Sequence, residues 1–168
     1  MRQIKSPKGY LNSVYPCTVG LTFNPWLYMV PQYCPNSVLI LGYGGGTTAG
    51  LIKMVYGDVP ITGVDNVFYE NPYAVEFILA DAEEYVKTCN GYDVIIIDLW
   101  VDKDLAECVT KKSFVENLKC NYIILHVPIE TDVSIYGIPF RTIELEWLDS
   151  KVCYIVKQKI LRMGCFGL

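Results

Sequence analysis

Residues 37–56 read SVLILGYGGGTTAGLIKMVY. An unbroken apolar run meets glycines at 42, 44, 45 and 46, and a stretch with helical apolar spacing follows up to Gly57. A continuous apolar run suits a strand covered on both faces, as in a parallel sheet. Glycine admits left-handed backbone and lets the chain pass close to a neighbour or a ligand. The stretch therefore reads as a strand (37–42), a glycine turn, and a helix (47–56) capped by Thr47 and Thr48 and closed at Gly57.

The same alternation continues. ITGVD (61–65) and VEFILAD (75–81) read as strands, AEEYVKTC (82–89) as a helix, and YDVIIIDLW (92–100) as the strongest strand. KSFVENLK (112–119) is a helix and NYIILHVP (121–128) another buried strand. FRTIELEWL and KVCYIVKQKI form two strands about Asp149-Ser150, an antiparallel hairpin. Strands alternating with helices predict an α/β, Rossmann-like fold: a mostly parallel sheet, helices on both faces, and the hairpin as an antiparallel edge. Before it, residues 1–36 are rich in Tyr, Pro and Asn, with Pro16, Pro25, Pro31 and Pro35 breaking long helices. They read as a lead-in packed on the core, with one short helix at 25–33. At 168 residues the chain is expected to form a single compact domain (1–168), its α/β core spanning 37–160.

Apolar residues make up 52% and charged residues 19%, a globular balance. A net charge of −4 disfavours a broad nucleic-acid footprint, and Lys151, Lys157, Lys159 and Arg162 read as a solvated face. The seven cysteines, at 17, 34, 89, 108, 120, 153 and 165, contain no C-x-x-C pair, so no metal site is expected and a reducing, cytoplasmic setting fits. No run approaches the ~18 apolar residues of a membrane span, and the first ten residues lack the apolar core of a signal peptide.

In open α/β sheets ligands bind beyond the carboxyl ends of the strands. The second, third and fourth strands end in Asp65, Asp81 and Asp98, so three carboxylates are expected on one rim beside the glycine turn. Helix capping is the competing explanation for Asp81, with Glu83 and Glu84 as helix-start charges. Gly44 to Ala49 fits G-x-G-x-x-A, and Asp65 lies where a ribose-binding acid belongs, which keeps NAD open. Gly42, Gly44 and Gly46 fit G-x-G-x-G instead. His126, the sole histidine, reads as either a general base or a satisfied structural residue. Trp100 is a candidate wall for an acceptor pocket, and Phe68 or Tyr69 for stacking on a base.

VLILGYGGGTTAGLI, ITGVD, FILADAEEYV and YDVIIIDLW together resemble the class I S-adenosylmethionine-dependent methyltransferases, in the variety of spermidine synthases and spermidine synthase-like methyltransferases. The resemblance covers roughly residues 28–128 and implies roles by position. Gly42, Tyr43, Gly44 and Gly46 would line the methionine and ribose portion of S-adenosylmethionine. Asp65 would take the ribose hydroxyls, and Asp81 with Ala82 the adenine. Asp98 would face the sulfonium and, with Asp102, orient the acceptor as the catalytic pair. Decarboxylated S-adenosylmethionine and methylthioadenosine are the related ligands. The resemblance has departures. Val67 stands where spermidine synthases carry a second acid, and in DLWVDKD the acid after Asp98 comes one residue late, which argues against aminopropyl transfer. A non-catalytic binding module and docking of a partner chain or second copy are the further alternatives.

Overall fold

A computed structural model describes residues 3–5, 11–14, 25–68, 73 and 75–157. Seven strands build the main sheet: β1 (Val38–Leu41), β2 (Ile61–Asp65), β3 (Glu76–Leu79), β4 (Tyr92–Ile97), β5 (Cys120–Pro128), β6 (Pro139–Leu145) and β7 (Ser150–Val156). Among the described residues three α-helices accompany them: α1 (Thr47–Tyr56), α2 (Ala82–Thr88) and α3 (Lys112–Asn117). The strand order is β6-β7-β5-β4-β1-β2-β3. β1 to β5 pair in parallel, and the order reverses at β1, the switch point of a doubly wound sheet. β7 alone runs opposite to the other strands, inserted between β5 and β6. The fold is the one expected from the sequence, with the hairpin's second strand inside the sheet and its first at the edge.

The unbroken apolar runs have a simple cause. Leu39, Leu41, Ile95 and Ile97 face one core with Val86 of α2 and Phe114 of α3, while Val38, Ile40, Val94 and Ile96 face another with Ala49 and Ile52 of α1. Both pleat faces are buried, so no polar alternation survives. Residues 28–36 are tied to this core by polar bonds: the Tyr56 hydroxyl donates to Pro31 O (2.6 Å), the Tyr154 hydroxyl to Tyr28 O, and Asn36 N–H to Asp93 Oδ2 (3.0 Å).

Several local expectations are corrected. The short helix is a single 3-10 stretch, Pro25–Met29. The N-cap of α1 is Gly46 in left-handed backbone, with Thr47 and Thr48 already inside the helix and no side-chain cap. The fourth strand stops at Ile97. Trp100–Val101 then pairs with Asp104–Leu105 as a small ribbon. The C-terminal hairpin turns through a 3-10 stretch, Glu146–Leu148, and a left-handed Asp149 (φ 51°). Gln3–Lys5 and Leu11–Val14 pair as a hairpin within the lead-in, which the proline count did not reveal. Tyr69 lies outside the described residues.

Candidate functional site

The glycine turn sits at the switch point, where the carboxyl ends of β1, β2 and β4 meet. Gly42 N–H donates to Val64 O (2.9 Å) and Asp98 N–H to Leu41 O (2.9 Å), which stitches the three strand ends together. Gly42, Gly44 and Gly46 all have positive φ (83°, 54° and 79°). At Gly42 there is a second reason for glycine: a Cβ would stand 2.1 Å from the Asp98 carbonyl oxygen. The first glycine therefore serves the close approach of β1 and β4, whatever the turn binds.

Tyr43 is not a cleft residue through its side chain. Its ring folds down into the α1-side core, 4% exposed, edge-on to Phe77 at 5.5 Å. It lies across Gly63 of β2, where a Cβ would stand 2.2 Å from the ring. Burial, and secondarily Tyr73, push its phenol pKa up. Only the Tyr43 backbone is left to the turn's outer surface. Gly63 was not singled out from the sequence, although a glycine inside a strand signals close approach.

Asp65 organises the turn. Its Oδ2 accepts from Gly44 N–H (2.8 Å) and its Oδ1 from Val67 N–H (3.0 Å). Burial raises its carboxyl pKa; the backbone N–H groups of Gly44, Val67 and Asn66 oppose that rise, and the charge of Asp98 adds to it. The two strand-end carboxylates thus feel one another. Among the described residues neither pairs with a lysine or arginine.

Asp81 is exposed and caps α2, its Oδ1 accepting from Glu84 N–H at 3.0 Å, while Ala82 is buried in the first turn. The capping explanation is realised, and one carboxyl oxygen stays out of that bond. Phe68 is 69% exposed and edge-on to Phe77 at 5.7 Å, so its outer face is open to solvent. Asp102 is exposed at the turn of the Trp100–Leu105 ribbon with φ 60°, beyond the strand ends rather than on them.

Asp98 anchors a chain of polar groups that the sequence did not connect. His126 Nδ1 donates to Asp98 Oδ1 (2.8 Å), Trp100 Nε1 donates to the same oxygen (2.9 Å), and His126 Nε2 meets Ser150 Oγ (3.0 Å). The Trp100 ring leans on the imidazole at 5.2 Å. The connectivity matches a nucleophile triad. Ser150, however, is 1% exposed at the start of β7, so its hydroxyl cannot reach a substrate. The satisfied-histidine reading of His126 therefore holds.

Two cavities lie at the other end of the sheet. One, of about 440 Å³, is lined by Tyr92, Lys119, Asn121 and Lys157; the other, of about 260 Å³, by Tyr33, Tyr122, Phe140 and Tyr154. The ammonium of Lys157 is spent on the carbonyls of Val115 and Leu118 at the end of α3. Neither cavity has a carboxylate in its lining. The rim, where charge and open backbone converge, is the candidate site. No group of metal-ligating side chains forms among the described residues, and no helix there is long and apolar enough to cross a membrane.

Solved structures share this arrangement. Human methyltransferase-like protein 13, in complex with SAH, superposes with a TM-score of 0.60 at 15% identity, covering 77% of this chain and 75% of its own. Fibrillarin in its complex with Nop5p gives 0.52 at 15% identity, covering 73% and 72%. The fold is that of the class I methyltransferases. No family model and no curated protein matches the sequence.

Proposed function

We propose that the rim binds S-adenosylmethionine and that the protein is a methyltransferase for a small or exposed acceptor. The observation that carries this reading is the pair Asp65 and Asp98, two strand-end carboxylates beside the glycine turn with no lysine or arginine paired to them among the described residues. A cationic ligand balances such a rim. The bound sulfonium supplies an electrophilic methyl group; the protein's share is to hold and align. A carboxylate offers about four lone-pair directions, so Asp65 can accept ribose hydroxyls while keeping Gly44 and Val67. In this reading the Asp81 oxygen left out of the cap and the Ala82 backbone read adenine. Asp98, with Asp102 on the following ribbon, orients the acceptor.

The fold shared with methyltransferases supports this reading; the spermidine synthase-like subtype, decarboxylated S-adenosylmethionine and methylthioadenosine rest on sequence resemblance alone. Val67 contributes its N–H to Asp65 where that subtype carries an acid. A non-catalytic nucleoside-binding module is the second reading, favoured by the link from Asp65 to Glu76, which contains no helix among its described residues. The test is the affinity for S-adenosylmethionine with and without Asp65. Asp65→Ala should weaken binding by about 1.5–3 kcal/mol, the range for hydrogen bonds to a charged group. An unchanged dissociation constant removes Asp65 from the site and the reading with it.

A further inference from the structure

Asp98 is gripped from one side only. Both N–H donors that reach it, from His126 and Trp100, fall on Oδ1. Oδ2 accepts no hydrogen bond from the described residues, and no buried side-chain oxygen there lacks a partner. Oδ2 is therefore the oxygen that solvent reaches. Two donors on one carboxyl oxygen fix the plane of the group as well as its position.

The imidazole that supplies one of those donors is itself held at three points. A carboxylate only accepts, so Nδ1 carries hydrogen, and Nε2 of the neutral ring accepts from the Ser150 hydroxyl. Its face packs against Trp100. The arrangement draws on the end of β4, on β5 and on β7. Joining those strands does not require it: Ile97 already pairs with Leu125, and His126 with Val152, through the backbone ladder. What the chain of bonds adds is a fixed carboxylate with one free edge at the switch point.

We propose that His126 is a positioning residue: it holds Asp98 with Oδ2 toward the rim, so that the site favours a sulfonium over the neutral thioether left after transfer. The proposal rests on the nucleoside-binding reading above. A carboxylate free to rotate spreads its charge over solvent, whereas one held by two donors keeps it at a single place.

The experiment is calorimetric titration of the full chain with S-adenosylmethionine and, separately, S-adenosylhomocysteine. It compares the wild type with His126→Phe, which removes both ring nitrogens, and His126→Asn, which keeps a donor near Nδ1. In His126→Phe the preference for the sulfonium should fall by about tenfold while the thioether affinity stays within about twofold, and His126→Asn should restore most of the preference. An unchanged preference in His126→Phe, or an equal loss for both ligands, overturns the positioning role alone. A wild-type chain that binds neither nucleoside overturns the nucleoside reading, and this proposal with it. If His126→Phe does not fold, the single histidine gives a second readout. The imidazole nitrogen resonances of the wild type should move on adding the sulfonium and much less on adding the thioether. Equal movement overturns the proposal.

Discussion

Gly63→Ala is the sharpest test of how the glycine turn is seated. Gly63 lies in β2 without positive φ, so alanine there meets no backbone penalty. In a strand, alanine for glycine even gains roughly 0.5–1 kcal/mol by limiting the unfolded chain. The obstacle is Tyr43, whose Cδ2, Cγ and Cε2 would stand 2.2, 2.7 and 2.8 Å from the new methyl. The ring is 4% exposed and cannot swing aside cheaply. Overpacking of this kind costs about 1–3 kcal/mol, and the net loss should be near 1–2 kcal/mol. In a Tyr43→Ala background the ring is gone, and Gly63→Ala should become neutral or stabilising. The four chains of this cycle are compared by urea unfolding, read as shifts in midpoint at constant slope. A coupling of about 1–3 kcal/mol is expected. Equal effects of Gly63→Ala in both backgrounds would refute the packing argument.

Two further substitutions separate folding from binding. Asp81→Asn keeps the N-cap of α2 and should leave stability within about 0.5 kcal/mol, whereas Asp81→Ala should cost about 0.5–2 kcal/mol in thermal or urea unfolding. Weaker nucleoside binding in Asp81→Asn at unchanged stability would give the carboxylate a role besides its cap. Asp65 makes stability depend on pH. Burial raises its folded pKa above the ordinary 3.8, so its contribution is complete below 3.8 and is lost as pH rises through the folded value. Relative to Asp65→Asn, the wild type should lose unfolding free energy over that interval in a urea series run at stepped pH. Parallel curves for the two chains would count against the buried carboxylate.

Much of the fold was legible because apolar runs leave an unambiguous trace. Val38–Leu41 and Val94–Ile97 are buried on both faces, as strands inside a sheet covered on both sides are. α1 was readable to its last residue because Gly46 and Gly57 bracket it. The end of β4 was harder: Leu99 and Trp100 look like more strand, yet the strand stops at Ile97 and the Asp98 carboxyl is held by His126 and Trp100. The place of β7 inside the sheet has no local signature, since a hairpin reads the same whichever strand is outermost. At the site, the strand-end carboxylates were visible as single letters. Their partners were not. The Asp98–His126–Ser150 chain spans separations of 28 and 24 residues, and no spacing rule connects them. Tyr43 had no such signal for its ring: its position in the glycine turn suggested a ligand contact, while the core beside Gly63 takes the side chain and leaves the backbone to the turn.

The central claim is that the rim is built for a cationic nucleoside. One calorimetric experiment tests it most directly: titration of the full chain with S-adenosylmethionine, with NAD in a parallel cell. The account expects saturable binding of S-adenosylmethionine that is weakened by about 1.5–3 kcal/mol in Asp65→Ala, with no heat from NAD. Binding of NAD in its place, or of neither compound, would contradict it.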